Sequence, residues 1–319
     1  MESLKFKLKQ RALHGLTNEV TLKQYKVAIN RFSAWAKCTH HVRLASDVTD
    51  PTVLVQEYAD HLLRDGYAPD TIHSYLAPVA SGFGLSLSEI KKPKRSASGI
   101  TKTRKADANA QGRRELYAEE NRRLTTAARA IGIRRAELAA LTGDCLVQDA
   151  DGSLSVRVRR GKGGRLQMQR ILPQDSLVVT ALFEGVGPRQ RVFTRAELNN
   201  KIALHGLRRL HAQEAYDYYM GEIRKGNRQK LINELKANFL TYHAQKPGPA
   251  GARRFAAQYA RFCADLEKGR GRYRLRGQNL VRAERANRPV IYDRVALMAT
   301  SVFHLAHWRN DVTARNYMI

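Results

Sequence analysis

Acidic side chains are scarce in this sequence: Asp and Glu number 29 against 56 Lys and Arg in 319 residues, a formal net charge of +27. An excess of that size favours a polyanionic partner and electrostatically steered association. Nucleic acid is the first candidate and an anionic membrane surface the second. Long apolar runs are missing too. None approaches the ~20 residues of a spanning helix, and the N-terminus lacks the continuous apolar core of a signal peptide. No membrane partner is therefore expected, and the basic residues 4–16 read as a solvated leader. Cysteine is rare as well: Cys38, Cys145 and Cys263 lie far apart, with no pair at metal-ligand spacing. That argues against a disulfide framework or zinc site and for a reducing, cytoplasmic location. No metal and no cofactor are expected.

What is present suits a soluble chain long enough for two cores, with 43% hydrophobic residues. The fold expected is mainly α with a small β hairpin or sheet, an α+β protein of two domains. Residues 17–90 read as a helical bundle. Leu22, Tyr25, Ala28, Ile29, Phe32 and Trp35 recur at three- and four-residue steps, one buried helix face, with Thr21 as the expected cap. Asp50-Pro51 opens a second helix carrying Val53, Val55, Tyr58, Leu62 and Leu63 inward, ended by Gly66. Pro69-Asp70 starts a third, with Ile72, Tyr75, Leu76 and Val79 inward.

Residues 91–105 change character: 7 are Lys or Arg and none is acidic. By composition this is a linker, over 91–113, and Lys91, Lys92, Lys94 and Arg95 are candidate DNA contacts. The second domain, 114–319, begins with helices over 119–130 and 136–141. Strands over 154–158 and 166–172 follow, joined through 161–164, and helices resume over 175–182, 195–204 and 208–220. Residues 221–288 hold 17 Lys and Arg against 5 Asp and Glu. They read as a basic, DNA-facing insertion with helices over 229–242 and 252–267.

Five clusters carry the chemistry. Gly132-Ile133-Arg134-Arg135-Ala136-Glu137-Leu138 puts arginines at a helix start, where backbone N–H groups and a bidentate guanidinium both suit phosphate. Arg134 is the site candidate, Arg135 is expected to face DNA or solvent, and Glu137 to buttress an arginine. Gly161-Lys162-Gly163-Gly164-Arg165 forms a glycine-rich turn without P-loop spacing, so ATP is not implied. From it Lys162 would donate a proton to a leaving oxygen, and Arg165 would contact DNA. His205-Gly206-Leu207-Arg208 places a titratable and a permanently charged group on one helix face. His211 is expected nearby as a structural residue or DNA contact. Leu305-Ala306-His307 precedes Asn316-Tyr317, and Tyr317 becomes a plausible nucleophile through cationic neighbours. Tyr216, Tyr218 and Tyr219 are the competing tyrosines.

In this order the clusters resemble the tyrosine recombinase (phage-type integrase) family. Thr21, Tyr25 and Phe32, with Tyr67, Thr71 and Tyr75, are similar to the signatures of its helical core-binding domain. The resemblance implies two-domain architecture, a core-binding domain over 1–90 and a catalytic domain over 114–319. It implies that Arg134, Arg208 and His307 hold the scissile phosphate of double-stranded DNA. Tyr317 would form a 3′-phosphotyrosyl link, Lys162 would protonate the 5′ oxygen with help from His205, and a homotetramer would act on two DNA sites. The sequence departs from the family pattern in three places. Arg208 and His307 are 99 residues apart, Ala306 stands where glycine is usual, and the step from His307 to Tyr317 is one residue longer. The alternatives are a type IB topoisomerase-like enzyme, a catalytically silent DNA-binding regulator of a partner recombinase, and a basic RNA-binding protein.

Overall fold

The computed structural model describes residues 2–95, 110–149, 152–161, 164, 166–244 and 249–319. It is mainly helical with small antiparallel sheets, and it divides into two compact units, Met1–Thr101 and Lys102–Ile319. Among the described residues, no helix is long and apolar enough to cross a membrane.

The first unit packs four helices: α1 (Leu4–Leu13), α2 (Glu19–His40), α3 (Pro51–Arg64) and α4 (Pro69–Phe83). Residues 4–16, expected as a solvated leader, instead begin with a core helix. Leu4, Leu8 and Ala12 recur every fourth residue, and all three are buried against α2 and α4. Leu8 sits so close to Gly82 of α4 that a Cβ there would meet its Cδ2 at 2.8 Å. The apolar stripe of α1 is short and interrupted by lysines, and only its partner helices identify it as core. The cap of α2 is Asn18, whose Oδ1 accepts from Thr21 N–H at 3.0 Å, so the helix starts earlier than the Thr21 cap expected. Asp50 caps α3 by accepting from Thr52 and Val53, and its core face is Leu54, Val55, Tyr58, Ala59 and Leu62. Val53 and Leu63, expected inward, are 52% exposed on the other face.

Lys92, a candidate DNA contact, turns back on its own unit and donates to the carbonyls of Leu87 and Ile90. Arg95 pairs with Asp70 at 3.0 Å, while Lys91 and Lys94 are exposed. Of the linker over 91–113, residues 96–109 lie outside the described residues, and its end is already helix α5 (Ala110–Tyr117).

In the second unit α6 (Arg122–Ile131) ends at Gly132 in the left-handed region, and a short α7 (Arg135–Leu138) follows. The strands β1 (Leu146–Gln148), β2 (Leu154–Val158) and β3 (Gln167–Arg170) form an antiparallel sheet in that order, with Val156 opposite both Leu146 and Gln169. The three-residue β1 is too short to read by period. Helices α8 (Ser176–Phe183) and α9 (Arg195–Leu198) complete this layer, whose core joins Leu124, Ile131, Leu138, Val156, Val179 and Phe193.

The helix α10 (Leu204–Arg224) packs on α6 and also on α14 (Arg294–Ala299) and the helical turns Thr300–His304 and Ala314–Met318. The expected insertion at 221–288 is not a separate body. α10 runs through its start, and α11 (Arg228–Ala244) and α12 (Pro249–Glu267) share a core with α14. There Leu235, Phe239, Phe262 and Leu266 meet Val295, Met298 and Phe303. Helix α13 (Gln278–Arg285) lies between β4 (Arg272–Arg274) and β5 (Ile291–Asp293), which pair antiparallel, and α15 (Asn310–Thr313) leads to the final turn.

If α1 is core, Leu8→Ala destabilises the first unit by about 2–5 kcal/mol, whereas Phe6→Ala, at a 59%-exposed position, stays within about 0.5 kcal/mol. Equal and negligible effects of the two in urea denaturation would return residues 4–16 to the status of leader.

Candidate active site

Arg208 is the fifth residue of α10, with 0% of its surface exposed. Its guanidinium donates to the carbonyls of Gly132 and Leu305, the latter at 2.6 Å. Two turns distant in sequence are thereby held on one side chain. Burial pushes the Arg208 pKa down, Arg134 adds to that, and Tyr317 opposes it. Among the described residues, Nε has no partner and no carboxylate hydrogen-bonds the group.

The Gly132 turn admits only glycine. Its φ is +69°, and a Cβ would stand 2.1 Å from Cδ2 of His211. It delivers Arg134 to the start of α7. There the backbone N–H of Arg134 donates to Oε2 of Glu137 at 2.8 Å, and its guanidinium donates to Oε1 at 2.6 Å. Glu137, 4% exposed, does buttress this arginine. Arg135 does not face solvent or DNA as expected. Its donors are taken by the carbonyls of Leu198 and Ile202, the latter at 2.7 Å, and by Oδ1 of Asn200 at 2.9 Å. A guanidinium half-buried among carbonyls is a structural clamp on the loop before α10.

Tyr317 lies in the last helical turn, 2% exposed, with its backbone oxygen accepting from Gln213 of α10 at 3.0 Å. Its ring centroid is 5.4 Å from that of His205 and 5.9 Å from that of His307, and Cζ of Arg208 is 5.9 Å from it. The hydroxyl is 3.5 Å from Nε2 of His307, at the outer limit of a hydrogen bond. Arg134, His205, Arg208, His307 and Tyr317 are thus brought together from positions 134 to 317. Lys162 and Arg165 lie outside the described residues; β2 and β3, which flank them, are described. Tyr218 and Tyr219 pack toward α11 and α14, Tyr216 accepts from the Asp293 N–H at 3.0 Å, and burial raises the pKa of all three phenols.

Ala306, immediately before His307, has φ +48°. That left-handed conformation favours glycine, and alanine holds it at a cost of about 1–2 kcal/mol. The turn is fixed by the His307 N–H donating to the Ser301 carbonyl at 2.8 Å.

Beneath the site lies a chain that sequence reasoning missed. Nε2 of His211 is 3.0 Å from Nδ1 of His304, and Nε2 of His304 is 3.0 Å from the Tyr219 hydroxyl. Both histidines are fully buried next to Arg208. Burial drives His211 down to about 3 and His304 well below its ordinary value, so both are neutral near pH 7. A neutral His304 has one N–H and one acceptor nitrogen, so it donates to one of these two partners and accepts from the other. His211, expected as a structural residue or DNA contact, is structural. His304 sits inside an apolar run, and only its distant partner His211 distinguishes it from a core position.

No family model matches this chain, and none of the curated proteins matches it.

Two outcomes are expected. Ala306→Gly raises stability by about 1 kcal/mol, read as a higher melting temperature. The histidines bind protons near pH 6.5 when unfolded and not when folded. Their contribution is therefore complete above pH 6.5 and is lost as pH falls toward 3. Between pH 7.5 and 5 the loss is about 2 kcal/mol per histidine, and a variant carrying both His211→Gln and His304→Gln lacks that slope in denaturation curves.

Proposed function

We propose that this chain is a site-specific DNA recombinase of the tyrosine type, which cuts and rejoins double-stranded DNA through a 3′-phosphotyrosyl link. The observation that carries the reading is Arg208, a buried guanidinium that among the described residues has no carboxylate bonded to it and a spare Nε donor, placed beside the Tyr317 phenol. A buried charge with no anion bonded to it is costly, and a phosphate diester is the anion that would match it.

In this reading Arg208 and Arg134 neutralise the non-bridging oxygens of the scissile phosphate. That electrostatic stabilisation is the main catalytic resource when phosphorus is attacked by a weak nucleophile. Oη of Tyr317 attacks phosphorus as its proton passes to Nε2 of His307, the 5′ oxygen leaves, and the proton that oxygen takes up comes from Lys162 or through His205. His307, within reach of the Tyr317 hydroxyl, positions it and donates to a phosphate oxygen. The covalent link keeps the energy of the broken bond, so reversal by a new 5′ hydroxyl needs no ATP. The two units correspond to a core-binding and a catalytic domain, and the partner is duplex DNA, bound by a homotetramer across two sites in the cytoplasm.

The closure of Tyr317 and Arg208 from solvent favours a second reading, a silent DNA-binding regulator. Covalent trapping separates them. Protein incubated with sheared DNA and quenched in detergent is expected to give adducts at defined positions, absent in Tyr317→Phe and slowed by about 100-fold or more in Arg208→Lys. DNA binding with no adduct would support the regulator, and adducts that survive Tyr317→Phe would move the nucleophile.

A further inference from the structure

Trp308, directly after His307, lines a second cavity of about 750 Å³ between α11, α12, β4, α14 and the 308–311 turn. Its wall is aromatic: the Phe239 and Phe262 rings stack with centroids 4.7 Å apart, and Trp308 meets Phe239 edge-on at 5.3 Å. Four cations line it. Arg294 is paired with Asp265 at 2.7 Å and Arg309 with Asp311 at 2.6 Å. Arg261 and Lys268 are exposed, and among the described residues neither has an ion-pair partner. Among the described residues, Nε1 of Trp308, a donor, and Oδ1 of Asn310, an acceptor, are buried without a hydrogen-bond partner. Asn310 is 2% exposed, and its amide nitrogen donates to Asp265 at 3.0 Å, which fixes Oδ1 as the acceptor left over.

We propose that this cavity binds a nucleotide, with the base against the aromatic wall and the phosphate on Arg261 and Lys268. The size falls within the range of small-molecule sites. Aromatic side chains accept a base by stacking, and a phosphate suits the exposed Arg261 and Lys268. A purely apolar occupant would leave these two cations unmatched. The same chemistry has two sources: a free mononucleotide, or a nucleotide swung out of duplex DNA. The second source rests on the function proposed above; the first does not.

The chain has 2 tryptophans, Trp35 and Trp308, so Trp308→Phe isolates the signal of the cavity. The full chain carrying Tyr317→Phe, which cannot cleave, is titrated with nucleoside monophosphates, with ribose 5-phosphate and inorganic phosphate as ring-free controls. In parallel it receives duplex DNA bearing 2-aminopurine, which brightens when unstacked. Saturable quenching of Trp308 by mononucleotides but not by the controls supports a free-nucleotide site. Brightening of 2-aminopurine with quenching of Trp308, and no response to mononucleotides, supports the extruded base. In either case Arg261→Ala and Lys268→Ala, at exposed positions, each weaken binding about tenfold. Three results overturn the proposal. One is no saturable response in either arm, and another is a response that ignores Arg261 and Lys268. The third is a Trp308 signal that follows protein concentration alongside dimerisation in light scattering, which would put a second copy of the chain in the cavity. Failure of covalent trapping leaves the mononucleotide arm readable, so the two ideas fail separately.

Discussion

One buried guanidinium ties the second unit together. Arg208 joins the end of α6, through the Gly132 carbonyl, to the turn after α14, through the Leu305 carbonyl. Arg134, His307 and His205 hang from those two turns or from α10 itself. Arg134 follows Gly132 by two residues, His307 follows Leu305 by two, and His205 precedes Arg208 by three. Removing a buried hydrogen-bonded charge leaves its partners unsatisfied as well, so this position tolerates little change. The neutral chain of His211, His304 and Tyr219 braces the same junction from below, and Gly132 is required because His211 fills the place of its Cβ.

The basic segment after α10 takes its meaning from that junction. Arg208 and His307 are 99 residues apart in sequence, yet the chain between them adds no separate body. It folds back as α11 and α12, whose apolar faces cover α14, and α14 carries the Leu305–His307 turn. Lys230 of α11 and Arg261 of α12 are exposed on helices whose inner faces are core, and Lys268, Arg270, Arg272, Arg274 and Arg276 are exposed beyond α12. A lysine- and arginine-rich stretch can therefore be both strongly cationic and structurally integral.

Legibility followed range. The helices of 17–90, the β2–β3 pairing and the helix through Arg208 were readable, because periodicity, caps and glycine turns are local. Val53 and Leu63 were misplaced because apolar residues flanked the true face of α3, and packing alone selected Val55, Tyr58 and Leu62. Arg135 and Lys92 were read as DNA contacts on charge, whereas nearby carbonyls took their donors. α1 escaped notice because three apolar residues among lysines make a core helix only when α2 and α4 lie against them. His304 escaped because nothing beside it in sequence is polar enough to suggest a partner.

By itself, the sequence determined the residue types of the candidate site, their order, the local turns that present them and the cationic character of the chain. These depend on side-chain chemistry and on backbone preferences within a few residues. The tertiary structure alone decided which cations are spent on carbonyls and carboxylates and which remain for a ligand. It also decided that His211 and His304 are neutral struts, and that 221–288 belongs to the core. Those outcomes are set by burial and by partners far away in the chain, because a charge or hydrogen bond is worth most where water is excluded, and exclusion of water is a property of the packed whole.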